Sequence, residues 1–93
     1  MHCQRLYIFF RDSYGLEVDL LLEQQRKLVP YEIGSGDRYT KEQLAGLKRF
    51  GDRYGQYLLD GQRGALIYAG ATETESDGYH IIPFTTLEGV FGR

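Results

Sequence analysis

Three strand-like segments follow one another in the first third of the chain, with only short polar turns between them. The aromatic run YIFFR occupies residues 7–11, a carboxylate-flanked aliphatic run occupies 17–23, and KLVPYEI ends at Ile33. Aromatic and aliphatic β-branched residues favour strands. Gly15 tolerates a positive φ in the turn between the first two segments, which suits a hairpin. The sequence therefore predicts a sheet that begins with three consecutive strands.

A single helix is predicted after the third strand. Thr40 and Gln43 have the spacing of a capping box, and apolar residues recur from there at helical spacing. Further strands are predicted at 65–69 (ALIYA) and 79–84 (YHIIPF), with a polar loop at 70–78 between them. The order βββ-α-ββ predicts an α/β (α+β) fold with a mixed sheet and the helix packed on one face.

The second strand carries carboxylates among its apolar residues. Because side chains alternate between the two faces of a strand, Glu17, Asp19 and Leu21 are expected on one face. Val18 and Leu20 are expected on the other. Both faces of this strand are apolar in part, so we expect it to be at least partly covered on both sides.

Pairing of the second and third strands would bring Asp19 close to Glu32 at one end of the sheet. Hard divalent cations such as Mg²⁺ prefer carboxylate oxygens, so the two residues are a candidate metal site. The alternative is that Glu17, Asp19 and Glu32 are ordinary solvated or salt-bridged carboxylates.

The spacing of these residues resembles the PD-(D/E)xK nuclease superfamily, in which an Asp on one strand is followed by Glu-x-Lys on the next. Here the corresponding residues are Asp19 and Glu32-Ile33-Gly34, so glycine stands where the pattern has lysine. The longer stretch RDSYGLEVDLLLEQQRKLVPYEIGSG also resembles the C-terminal domain of a bacterial and archaeal family of AAA-type P-loop ATPases. That domain, of unknown function, has a restriction-endonuclease-like fold. The similarity runs from about residue 7 to residue 84 and includes GLKRF and IIPF.

The resemblance implies a site for metal-dependent phosphodiester hydrolysis. Asp19, Glu32 and the carbonyl of Ile33 would hold one or two Mg²⁺ or Mn²⁺ ions, which would activate a water molecule. No other cofactor is predicted. These three residues are therefore the expected metal ligands.

Gly34 removes the side chain that would position and deprotonate this water molecule. A lysine from another element would have to replace it, and the helix offers Lys48, with Lys41 as the alternative. The expected catalytic residues are thus Asp19, Glu32 and Lys48. Because Gly34 carries no side chain, a non-catalytic interaction or assembly role is favoured over nuclease turnover.

Residues 1–93 are expected to form one small domain with its core at 7–84, a truncated or detached C-terminal domain. The nuclease core has a helix before its first strand, and residues 1–6 are too few to form it. One sheet face would then be partly uncovered, which favours self-association. An AAA-type ATPase domain is the other expected partner.

The charge balance argues against general affinity for nucleic acid. The net charge is −2 and the pI is about 5.6, whereas a nucleic-acid-binding domain normally has a basic surface. Nucleic-acid binding without cleavage is therefore the weaker alternative. The single cysteine and the lack of an apolar run of roughly 20 residues predict a cytoplasmic protein with no membrane span.

Overall fold

The computed structural model describes residues 4–59 and 62–86. Helix α1 spans Lys41–Tyr54, and 3₁₀ turns follow at Gly55–Tyr57 and Phe84–Thr86. The strands within the described residues are β1 (Gln4–Arg11), β2 (Glu17–Gln24), β3 (Lys27–Ile33), β4 (Ala65–Tyr68), β5 (Thr74–Ser76) and β6 (Tyr79–Pro83).

The strands form one mixed sheet in the order β1-β2-β3-β4-β6-β5. β1, β2 and β3 are an antiparallel meander, β3, β4 and β6 run parallel to one another, and β5 returns antiparallel to β6. The predicted α/β (α+β) class with a mixed sheet is confirmed, and the arrangement is compatible with a restriction-endonuclease-like fold. In the described part of the chain, no helix is both long and apolar enough to cross a membrane.

One strand was not predicted. β5 lies within the segment 70–78 that the sequence analysis assigned to a loop, so the observed order is βββ-α-βββ. The link to β6 is the two-residue turn Asp77-Gly78, in which both residues have positive φ, as tight hairpins require. The strand itself is three polar residues long, so it lacks the apolar alternation that indicates strands in a sequence.

The predicted capping box begins α1. The Gln43 N–H donates to Thr40 Oγ1, and the Thr40 N–H donates to Gln43 Oε1 at 2.8 Å. Leu44 and Leu47 pack against side chains of β4 and β6, while Phe50 packs against side chains of β2. The helical stripe read from the sequence is therefore the buried face of α1.

Asp12 ties the β1–β2 turn to the end of α1. Its side chain, which is 7 % exposed, accepts N–H bonds from Tyr14 and Leu16, each at 2.9 Å. It also accepts from Arg53 at 3.0 Å and from the Tyr54 hydroxyl at 2.7 Å. Burial alone would raise the pKa of Asp12, but these hydrogen bonds outweigh it and lower the pKa to about 2.

The predicted alternation of side chains along β2 is wrong at Asp19. Val18 packs under α1 beside Leu21, whereas Leu20 packs on the opposite face of the sheet. The β2–β3 ladder begins only at Leu20, so Asp19 lies where the two strands separate. On β1, Phe9 lies between the pairs that Ile8 and Phe10 form with β2, and its φ of 59° is outside the strand region. The backbone irregularity at this level breaks the period of two.

The sheet face opposite α1 is also apolar. Val29, Tyr31, Ala65 and Ile67 form a buried cluster there. Side chains from β2 and β6 flank this cluster, namely Leu20, Leu22 and Ile82. Among the described residues no helix lies across this face.

Candidate functional site

Asp19 and Glu32 meet where β2 and β3 stop pairing. The Asp19 N–H donates to Glu32 Oε1 at 3.1 Å, and the Ile33 N–H donates to Asp19 Oδ2 at 2.8 Å. Two carboxylates thus replace the missing ladder bonds at this point. The structure brings together the three residues predicted as metal ligands, and Ile33 participates through its N–H.

The environment of Glu32 disfavours its ionised form. Its half-buried position and the charge of Asp19 raise its pKa to about 7, although the N–H bond from Asp19 and the charge of Arg49 oppose the shift. The side chain lies against α1 at Gly46, where an added methyl group would come within 3.0 Å of Glu32 Oε2. Glycine at position 46 is therefore what allows this carboxylate to lie under the helix.

Glu17, the third carboxylate of the predicted group, acts on Glu32 through its charge, which also raises the pKa of Glu32. Its side chain forms an exposed ion pair with Arg11 at 3.1 Å. Within residues 4–59 and 62–86, no three His, Cys, Asp or Glu side chains are placed to hold a metal ion together. The charged neighbour of the Asp19–Glu32 pair on the helix is Arg49.

The donor chemistry of the pair fits one hydrated Mg²⁺ or Mn²⁺ ion. Each carboxylate has one oxygen bonded to a backbone N–H and a second oxygen with no hydrogen bond in the described part of the chain. Mg²⁺ commonly keeps several water ligands and binds proteins through one or two carboxylates. Asp19 and Glu32 would hold the ion, which would supply a polarised water molecule.

Gly34, which occupies the lysine position of the nuclease pattern, faces a side chain of α1. A methyl group at Gly34 would lie 2.6 Å from Gln43 Nε2. The same Gln43 side chain completes the capping box through its other atom, Oε1. A side chain at position 34 would therefore have to displace the end of the Gln43 side chain, which closes the capping box.

Lys48, the predicted catalytic lysine, is not brought to the carboxylates. It lines a separate cavity beside α1 together with Lys41 and Arg63. Adjacent residues are about 100° apart around a helix, so Lys48 and Arg49 point to different flanks of α1. The charge of Arg49 acts on Glu32, while the catalytic role of Lys48 stays a prediction.

Sequence reasoning missed three residues at this site: Gln43, Gly46 and Arg49. Gln43 was identified only as a capping residue, and Gly46 gave no signal beyond its low helix propensity. Their roles depend on how α1 is rotated over β2 and β3. Gln43 precedes the buried Leu47 by four residues and the buried Phe50 by seven, and this spacing was the available signal for that rotation.

A second unusual surface lies at the β1 edge of the sheet. β1 pairs only with β2 within the described residues, and it exposes 64 % of Ile8 and 77 % of Phe9. Leu6 and Tyr7 are also exposed. Four neighbouring apolar or aromatic side chains therefore line one open strand edge, a feature typical of interaction surfaces.

Comparisons with known proteins identify the family. A comparison with curated proteins gave no significant match, and neither did a comparison with solved structures. The family model described as "Domain of unknown function (DUF4143)" matches residues 2–87, which is nearly the whole chain. The chain therefore belongs to the DUF4143 family.

Proposed function

We propose that this chain is a non-catalytic assembly module that pairs with a second copy of itself through β1. The exposed apolar edge of β1 is the observation that carries the proposal. An open strand edge presents backbone N–H and C=O groups that another strand can bond. Exposed apolar side chains beside those groups add burial to the backbone pairing.

The two edges of the sheet differ in a way that favours pairing at β1. β5, the other edge, is only three residues long, and its Glu75 is paired with His80 at 3.5 Å. Short charged edges resist association with another strand. β1 has eight residues and no charged side chain along its apolar centre, residues 6–9, and the positive φ of Phe9 interrupts the regular backbone only at the end of that centre.

The sequence of β1 is compatible with pairing to an identical strand. An antiparallel pair centred between Tyr7 and Ile8 would place Leu6 opposite Phe9, so the apolar side chains would meet each other. Arg5 would face Phe10 and Arg11 would face Gln4, which keeps like charges from facing one another directly. Such a contact is isologous and closes as a two-fold dimer.

The features of the carboxylate site support a non-catalytic role. Gln43 occupies the space beside Gly34, and the cation next to Glu32 is Arg49. Arginine stays protonated at all physiological pH values and is a poor proton acceptor. The pair of carboxylates is then a remnant of a restriction-endonuclease-like ancestor that now fixes the end of the β2–β3 ladder.

The resemblance to the C-terminal domain of AAA-type ATPases supplies a setting for this module. We infer that it works in the cytoplasm, beside an ATPase domain, and that pairing through β1 brings two such domains together. A cytoplasmic setting also agrees with a chain that has one cysteine.

The test compares two aromatic residues with nearly equal exposure. Phe9, at 77 % exposed, is on the β1 edge, and Tyr14, at 79 % exposed, is in the β1–β2 turn. We expect sedimentation equilibrium at high micromolar concentration to show a dimer for the parent and for Tyr14→Lys, and a monomer for Phe9→Lys. A parent that is strictly monomeric, or a Tyr14→Lys variant that dissociates equally, contradicts the proposal.

Metal-dependent cleavage of nucleic acid is the second candidate function. The observation in its favour is the contact between Asp19 and Glu32, which has the donor chemistry for Mg²⁺ or Mn²⁺. The test is cleavage of plasmid and single-stranded DNA with Mn²⁺ by the parent, by Asp19→Ala and by Gly34→Lys. Cleavage that requires Asp19 and increases in Gly34→Lys would establish this activity. Equal background in all three would exclude it.

A further inference from the structure

A cationic cavity lies beside α1, on the flank away from Glu32. Its volume is about 560 Å³, and Lys41, Lys48 and Arg63 line it together with Tyr79. A smaller adjoining cavity shares Lys48, Arg63 and Tyr79. The two cavities form one groove between α1 and the β5–β6 hairpin, and we name it the hairpin groove.

The cations of the hairpin groove have no ion-pair partner in the described part of the chain. The ion pairs recorded there involve Arg11, Arg53 and His80. Asp77 lines the larger cavity and Asp52 the smaller one, but neither forms an ion pair with Lys41, Lys48 or Arg63. The hairpin groove thus has three cations against two carboxylates, and this net positive charge favours an anionic ligand.

Arg63 is held in place before any ligand binds. Its guanidinium lies 4.5 Å from the centre of the Tyr79 ring and donates to the Tyr79 hydroxyl at 3.3 Å. Gly78 leaves room for this position, because a methyl group there would clash with Arg63 Nη1. Tyr79 is itself buried. A fixed guanidinium loses little conformational entropy when it binds an anion.

We propose that the hairpin groove binds the phosphate group of a phosphorylated ligand. The planar guanidinium of Arg63 can donate two parallel hydrogen bonds to phosphate oxygens, and the ammonium groups of Lys41 and Lys48 supply further charge. The volume is in the range of small-molecule sites. Arg63 covers one face of the Tyr79 ring, so recognition rests on the phosphate rather than on stacking of a base against that face.

This site is independent of the Asp19–Glu32 pair and of the β1 edge. Lys48 belongs to the hairpin groove and the charge of Arg49 acts on Glu32, so adjacent residues of α1 serve different flanks of the helix. Loss of phosphate binding would therefore leave the proposed assembly role untouched. Loss of dimerisation would likewise leave phosphate binding in place.

The experiment is calorimetric titration with inorganic pyrophosphate at constant ionic strength. The test variant is Lys48→Gln/Arg63→Gln, and the matched control is Lys27→Gln/Arg26→Gln, which makes the same charge change at the β2–β3 turn. We expect saturable binding to the parent, about tenfold weaker binding to the test variant, and a change of less than about twofold in the control. Arg63→Lys should also weaken binding several-fold, because it keeps the charge and loses the planar fork.

The source of the phosphate is separated by a second titration. The ligand is a 5′-phosphorylated oligothymidylate. If it competes with pyrophosphate and binds much more tightly, the groove is a site for nucleic-acid phosphates. Binding no tighter than that of pyrophosphate assigns it to a free phosphorylated ligand. Three results would overturn the proposal. They are an equal loss of pyrophosphate affinity in the test and control variants, no saturable pyrophosphate binding to the parent, and binding of citrate as tight as that of pyrophosphate.

Discussion

Glu32 combines two features that both disfavour its ionisation in the folded protein. Its carboxylate is half-buried against Gly46, and it lies beside the like charge of Asp19. Both features disfavour ionisation, and the Asp19 N–H bond compensates only in part. Glu32 therefore lowers the stability of the fold at the pH where it must be ionised.

The pH dependence of stability follows from this shift. Because the pKa of Glu32 is raised from 4.5 to about 7, the folded protein binds more protons than the unfolded chain between these values, and stability falls as pH rises through them. We expect Glu32→Gln, measured by urea unfolding with EDTA, to be more stable than the parent at about pH 8. The gain is about 1 kcal/mol after allowance for solvent exposure, and it disappears near pH 4.

Glu73→Gln is the control for this measurement. Glu73 is exposed in the 70–78 segment, and the substitution removes the same charge as Glu32→Gln does. Its stability should follow that of the parent across the range. A Glu32→Gln variant whose stability falls with pH as steeply as that of the parent would show that Glu32 is not the titrating group.

The contact between Asp19 and Glu32 could be predicted from the sequence, because it depends only on strand order and on the position of each residue along its strand. The side chain that fills the space beside Gly34 could not. Gln43 is nine residues further along the chain and reaches that space only through the placement of α1 over the sheet. Pairings within a meander follow from local turns, whereas contacts between a helix and a sheet require the packing of the core.

Helix α1 shows the same limit at the level of an element. Its start at the Thr40 capping box and its buried stripe were predicted correctly. The functions of its two flanks were not, since Lys48 and Arg49 are adjacent and equally polar in the sequence. Only the structure separates Arg49, beside Glu32, from Lys48, in the hairpin groove.

Two glycines of α1 provide an internal comparison. Alanine in place of glycine normally stabilises a helix by roughly 0.5–1 kcal/mol. Gly51 has no atom within 4 Å of the added methyl group, whereas at Gly46 that group would lie 3.0 Å from Glu32 Oε2. We expect thermal unfolding to show this gain for Gly51→Ala and no gain, or a loss, for Gly46→Ala.

The Glu32 carboxylate is the stated cause of the difference, so the effect should depend on it. In a Glu32→Ala background, Gly46→Ala should stabilise the protein about as much as Gly51→Ala does. If Gly46→Ala remains unfavourable in that background, the Glu32 carboxylate is not the cause of the difference.

The whole molecule has two unequal sheet edges and two unequal sheet faces. α1 covers one face, and the buried cluster around Val29 and Ile67 forms the other. The order of strands along the sheet places the apolar β1 at one edge and the short polar β5 at the opposite edge. The sequence predicted that one sheet face would be partly uncovered and that this would favour self-association. It did not indicate which edge would be open, because that depends on the parallel placement of β4 beside β3.

Hydrogen exchange can identify which edge pairs with another chain. Amides of β1 that point away from β2 lack strand partners in the described chain, so they should exchange quickly in a monomer and slowly in a β1–β1 dimer. Raising the protein concentration from about 10 µM to about 500 µM shifts the population toward the dimer by mass action. We expect this change to increase protection in peptides that cover β1, to leave peptides that cover β5 unchanged, and to have no effect in Phe9→Lys. If protection of β1 does not vary with concentration, a segment of the same chain covers this edge. If protection increases at β5 instead, the interface lies at the other edge of the sheet.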